Sequence, residues 1–138
     1  FGPRQNKKGG YAAAIPLFIS AILEDKSPVI FGDGLQSRDF TFVDNVVHAN
    51  ILAAIAEEPL NGEVINVACG ERITLLELVE KINKVLGKDI KPVLQPTRLG
   101  DVKHSLASIE KAKQLLNFEP QVLFDEGLEK TIEWYKEN

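Results

Sequence analysis

Residues 74–87 constrain the fold of this chain more tightly than any other stretch. Thr74-Leu75-Leu76-Glu77 is a capping box: the threonine hydroxyl can accept the Glu77 N–H while the glutamate reaches back to the Thr74 N–H. Behind it, apolar residues fall at 75, 78, 79, 82, 85 and 86, one face of a 3.6-residue repeat. Gly87 then supplies the left-handed stop that ends many helices. A helix with one apolar stripe needs other elements to cover it, so the rest of the sequence has to provide them.

Those elements alternate in type. Phe1 to Gly10 reads as a loop, with Pro3, Gly9 and Gly10. Tyr11 to Asp25 is apolar at helical spacing, and Pro16 is tolerable only near the first turn. Val29-Ile30-Phe31 predicts a short strand, the pair Asp33-Gly34 a turn, and residues 38–42 a second strand. Asp44 is expected to cap a helix running to about Glu58, ended by Pro59 and Gly62. Val64-Ile65-Asn66-Val67 predicts a strand covered on both faces, as in a parallel sheet, with its neighbours on polypeptide outside these residues. Residues 90–95 form a further expected strand. Ser108 can cap a short helix to Leu116, and residues 126–136 carry Leu128, Ile132 and Tyr135 on a last amphipathic helix. The class is therefore α/β.

Length and composition agree with one soluble domain. At 138 residues a compact fold buries about two-thirds of the surface that its unfolded chain exposes. The hydrophobic fraction of 44% and charged fraction of 26% exclude a disordered chain, a collagen-like repeat and a disulfide scaffold. A net charge of −4 gives no electrostatic reason to expect nucleic acid. The longest uncharged run, Gly9 to Leu23, is too short to span a membrane, and no basic leader with a cleavage site opens the sequence. A single cysteine, Cys69, forms no internal disulfide, which points to a reducing compartment and a cytoplasmic location. The sequence holds no methionine and opens on Phe1-Gly2-Pro3-Arg4, as expected of a piece of a longer protein.

No complete active site is visible in the residues. The glycines give no dinucleotide fingerprint, because Gly32-Asp33-Gly34 lacks the third glycine and the following helix. His48 and His104 have no ligand partners at metal-binding spacing, and no serine or cysteine nucleophile motif occurs. Two arginines in separate loop contexts remain, Arg38 and Arg98. An arginine fork can hold a pair of phosphate oxygens, so the two could clamp a diphosphate. They could instead form surface ion pairs, Arg38 with Asp39 or Asp44 and Arg98 with Asp101. Phe31 can stack on a base or pack in the core. Cys69 fits a small buried hydrophobe, His48 a partly buried and satisfied residue, and Trp134 and Tyr135 the core.

Seven phrases in order add a resemblance. Phe-Gly-Pro-Arg-Gln (1–5), Ala-Ile-Pro-Leu-Phe-Ile (14–19), Pro-Val-Ile-Phe-Gly-Asp-Gly (28–34) and Ser-Arg-Asp-Phe-Thr-Phe-Val-Asp (37–44) open the series. Asn-Val-Ala-Cys-Gly (66–70), Arg-Leu-Gly-Asp-Val-Lys-His-Ser (98–105) and Asp-Glu-Gly-Leu-Glu-Lys-Thr-Ile-Glu-Trp (125–134) complete it. Over essentially its whole length the chain resembles the C-terminal, substrate-binding half of an extended short-chain dehydrogenase/reductase, most closely the UDP-glucose and UDP-N-acetylglucosamine 4-epimerases.

The resemblance implies a parent isomerase that inverts C4 of a UDP-hexose through a 4-keto intermediate. It implies NAD held mainly by an N-terminal Rossmann domain that is not in this sequence, and a homodimeric parent. The family's Tyr-x-x-x-Lys pair is absent here: four residues beyond Tyr11 stands Ile15, and Tyr135 has no residue at that distance. No catalytic, cofactor-binding or metal residue is therefore expected in the chain. The expected partners are a UDP-sugar and the N-terminal half, with no nucleic acid and no membrane. By resemblance Val29 and Phe31 lie against uracil, Arg38 on the diphosphate, Arg98 and Asp101 on diphosphate and ribose, and Ser105 in the sugar pocket. Ala13 stands where galactose-type epimerases usually carry a contacting asparagine, and Ser108 replaces a common aspartate. A dTDP-sugar 4,6-dehydratase, a related reductase and a stand-alone nucleotide-sugar binding module are the alternatives.

Overall fold

The computed structural model of the chain describes residues 1–6 and 13–138. In order, the elements are α1 (Ala14–Leu23), β1 (Val29–Phe31), β2 (Ser37–Arg38), α2 (Val43–Ala54), β3 (Ile73–Thr74), α3 (Leu75–Leu86), β4 (Val93–Gln95), α4 (Glu110–Leu116) and α5 (Phe124–Glu137). The α/β class holds. Residues 7–10 of the expected loop and the expected helix start at Tyr11 lie outside the described residues.

Three stripes of helical period meet in the main core. Ile15, Phe18, Ile19 and Ile22 of α1 pack with Leu78, Val79 and Ile82 of α3 and with Phe124, Leu128 and Ile132 of α5. Each fully buried Ile or Leu here contributes about 1.5–3 kcal/mol. Both halves of the predicted capping box form at Thr74, and Gly87 adopts the left-handed conformation at φ 64°. Pro16 sits in the first turn of α1, where its missing N–H has no helical partner to lose. The far end of α1 is closed by Lys88, whose ammonium donates to the Ile22 and Leu23 carbonyls and pairs with Asp25. Tyr135 is buried and Trp134 partly so, both against this core, as expected.

A smaller cluster of Ala49, Ala112, Leu116 and Phe118 joins α2 to α4. Its polar rivet is Asn45, fully buried. The carboxamide accepts from the Gln121 and Val122 N–H groups and donates to the Val122 carbonyl. His48 is half-buried beside it, its ring against Phe118 and its Nε2 near Gln121, as expected of a satisfied residue.

Several boundaries differ from the sequence expectation. No ladder forms at 64–67 among the described residues. Val64 is 82% exposed, while Ile65 and Val67 pack on the smaller cluster, so the stretch is covered on one side only. Its end is tethered instead by Asp39, whose carboxylate accepts the N–H groups of Cys69 and Gly70. The strand expected over 38–42 is only Ser37–Arg38, pairing with Ile73–Thr74, a strand the sequence did not reveal; α3 begins immediately afterwards. The strand expected from 90 begins at Val93, because Pro92 has no N–H to donate. Phe42 rather than Asp44 is the N-cap of α2, which ends at Ala54, before Glu57 and Glu58, whose charge opposes a helix C-terminus. Ser108 does not cap α4; Ile109 occupies that position without a side-chain bond. Helix α5 starts two residues earlier than expected, at Phe124.

Candidate functional site: a cleft beside the parallel strand pair

Strands β1 and β4 run parallel, with Val29 opposite Val93 and Phe31 opposite Gln95. The Val93 N–H donates to the Pro28 carbonyl and the Gly32 N–H to the Gln95 carbonyl. In this register residues 28, 30 and 32 turn their backbone groups toward β4, leaving those of Val29 and Phe31 on the opposite edge. That edge opens into a cleft of about 350 Å³ whose wall includes Val29, Phe31, Arg38, Arg98 and Asp101. A smaller lobe of about 150 Å³ adjoins it, sharing Phe31, Gln36 and Asp101 and adding Asp33, Thr97 and Lys103.

Elements far apart in sequence deliver these side chains. Arg38 comes from β2, which is braced by β3 on one side and by a single parallel bridge from Ser37 to His104 on the other. The bridge is reinforced by a 2.9 Å hydrogen bond between Ser37 Oγ and His104 Nδ1. The Arg38 guanidinium donates to the Ser37 and Lys103 carbonyls and, at 2.7 Å, to the Asp101 carboxylate. Three acceptors thus fix its plane. The Arg98 guanidinium lies 3.7 Å from the centre of the Phe31 ring, a cation–π stack. The three ion pairs weighed from spacing, Arg38 with Asp39 or Asp44 and Arg98 with Asp101, give way to another: Asp101 takes Arg38, and Asp39 is engaged with backbone at 69–70.

Five of the six residues singled out from the sequence, Val29, Phe31, Arg38, Arg98 and Asp101, share this one cleft. Ala13 lines it too. Ser105 does not; it is exposed, and its N–H donates to the Ser37 carbonyl. Gln36, Thr97 and Lys103 escaped the sequence analysis. Only the position of Gln36 between the Asp33-Gly34 turn and Arg38 hinted at it. Around the two lobes Arg38, Arg98 and Lys103 face Asp33 and Asp101, three cations to two carboxylates. Asp33 is held below the usual carboxylate range, first by the Leu35 N–H and then by Lys103. The cleft therefore joins an aromatic corner to a fixed guanidinium and a net positive charge, the chemistry needed for a planar group tethered to an anion. Among the described residues no cluster could hold a metal ion, and no helix is long and apolar enough to cross a membrane.

The model of one family, described as GDP-mannose 4,6 dehydratase, matches residues 1–131. The chain belongs to that family. Members similar to it include a UDP-glucuronate 4-epimerase from Thermodesulfobacterium geofontis, 40% identical over 88% of this chain and 37% of the relative. Among solved structures, a UDP-N-acetylglucosamine 4-epimerase from Methanobrevibacter ruminantium, in complex with UDP-N-acetylmuramic acid, is 46% identical with a TM-score of 0.90. The match covers 99% of this chain and 43% of that one. A UDP-glucuronic acid 4-epimerase from Bacillus cereus, in complex with UDP-glucuronic acid and NAD, is 34% identical with a TM-score of 0.91, covering 99% and 42%. The resemblance to extended dehydrogenase/reductase 4-epimerases is thereby borne out, and the chain spans about two-fifths of the length of these family members.

NAD is the cofactor of the parent family, as the Bacillus cereus complex illustrates. The described residues do not fit it. Strand β1 leads through Gly32 and Gly34 into β2 rather than into a helix, and β4 leads into the long 96–109 segment. Neither forms the strand, glycine-rich turn and helix that cradle a dinucleotide.

Proposed function

We propose that this chain is the nucleotide-sugar-binding part of an NAD-dependent UDP-hexose 4-epimerase, completed by an N-terminal half that carries the Rossmann domain and the catalytic residues. The observation that carries this is the convergence of Arg38, Arg98, Phe31 and Asp101 on one cleft beside the open edge of β1. Uracil lies against Val29 and Phe31, the ribose reaches Asp101, and the diphosphate lies on Arg38 and Arg98. Ser105 belongs to the sugar pocket, on a wall finished by the other half. The parent is a cytoplasmic homodimer.

The part played by these residues is anchorage. Hydrogen bonds from guanidinium to phosphate hold the UDP end while the sugar reorients, and binding energy remote from the reacting carbon serves the chemistry. Arg38 is suited to this because the Ser37 and Lys103 carbonyls keep its fork in place when Asp101 yields to an incoming phosphate. A dTDP-sugar 4,6-dehydratase is the second reading, favoured by the family description itself. In the full-length protein, Arg38→Ala is expected to raise the KM for the UDP-sugar by about ten- to a hundredfold, the equivalent of one or two charged hydrogen bonds. An unchanged KM removes Arg38 from the clamp.

A further inference from the structure

Asparagine precedes glycine at a single place in the chain, Asn61-Gly62. The pair forms the centre of a turn closed by a 2.9 Å hydrogen bond from the Glu63 N–H to the Leu60 carbonyl. Both residues have left-handed backbone, φ 49° at Asn61 and 76° at Gly62, the signature of a type I′ turn. Both are exposed, and a β-carbon built on Gly62 would meet nothing within 4 Å. Among the described residues, neither the Asn61 carboxamide nor the Gly62 N–H has a hydrogen-bond partner. Elsewhere asparagine is restrained. Asn45 and Asn83 bond backbone at 121–122 and at 90, and Asn50 donates to the Val46 carbonyl inside α2. Asn66 and Asn117 stand before Val67 and Phe118, whose side chains shield the next N–H.

We infer that Asn61 is a self-modification site, deamidating in the folded protein to aspartate and isoaspartate. The Gly62 nitrogen gives its proton to a solvent base and attacks Asn61 Cγ. The new N–Cγ bond closes a succinimide, the Cγ–Nδ2 bond breaks, and ammonia leaves. Water then opens the ring. Attack at Cγ gives aspartate; attack at the Asn61 backbone carbonyl gives isoaspartate, whose main chain runs through the former side-chain methylene. Reaching the attack geometry requires rotation about the Asn61 Cα–C bond. One turn hydrogen bond and an uncontacted glycine oppose that rotation weakly. The product places a new carboxylate beside Glu63, which pairs with Lys111 of α4. It also reroutes the backbone between Leu60 and Ile65, both packed on the α2–α4 cluster.

The test is to incubate the full-length protein, folded and in urea, at mildly alkaline pH and then digest it. Mass spectrometry follows replacement of NH2 by OH at residue 61, and methylation by an isoaspartyl methyltransferase reports isoaspartate. The folded rate should fall within about tenfold of the unfolded rate and exceed that at Asn66 by about tenfold or more. Gly62→Ala should slow the reaction by about tenfold or more, because a β-carbon shields the attacking nitrogen. A folded rate below about a tenth of the unfolded one overturns the inference, as does a faster site elsewhere or a rate unchanged in Gly62→Ala. If Gly62→Ala fails to fold, the two wild-type comparisons decide.

Discussion

Single residues divide into those whose role is local and those whose partners are distant in sequence. Arg38 was recognisable as a polar anchor from its place at the start of a short strand, but its ion pair was not. Asp101 is 63 positions away, and tertiary contacts such as the bridge between Ser37 and His104 bring the two segments together. Arg98 shows the same limit, since its stack on Phe31 depends on β1 and β4 being paired. Asn45 is the clearest case. Nothing in an apolar helix marks it, yet it satisfies backbone groups at 121–122, more than 75 positions away. Asn45→Leu strands two N–H groups and a carbonyl in the interior. It should cost the protein about 2–4 kcal/mol by chemical denaturation. A loss under about 0.5 kcal/mol would show that the rivet is dispensable.

Elements were legible where a helical stripe and a cap coincide, and illegible where a strand owed its identity to a partner. Helix α3 was predicted to the residue because the Thr74–Glu77 box, the stripe and Gly87 are all local. Strand β3 is two residues long and exists because Ser37–Arg38 lies beside it. The stretch 64–67 carries strand-forming residues without a sheet to join among the described residues. The box itself is testable. Hydrogen bonds from Thr74 hold Glu77 below its ordinary value of 4.5, so the carboxylate's contribution is complete above that value. It is lost as pH falls through the lowered pKa of the folded state. Thr74→Ala should cost about 1 kcal/mol at neutral pH. The gap from wild type should narrow in acid, as read by melts across pH 3–7, and a gap independent of pH contradicts this account.

At the scale of the whole molecule, the apolar core is covered on one side, while another side exposes apolar residues. Val43, Val46, Val47, Ile51 and Ile55 form an exposed apolar face along and just beyond α2, and Val64 is more exposed still. Contiguous apolar surface of this kind drives association when left in water. The isolated 138-residue chain is therefore expected to be oligomeric, aggregation-prone or partly molten by sedimentation and near-UV dichroism. A monomer with a sharp cooperative melt counts against that expectation. The cleft lies elsewhere, on α1, β1, β2 and the segment carrying Arg98 and Asp101, and its grip on a diphosphate is the claim on which the functional account depends. Calorimetric titration of the full-length protein with UDP and with uridine measures that grip most directly. Saturable UDP binding, with uridine at least about thirtyfold weaker, is the predicted result. Equal binding of the two, or no heat from UDP up to millimolar concentration, contradicts it.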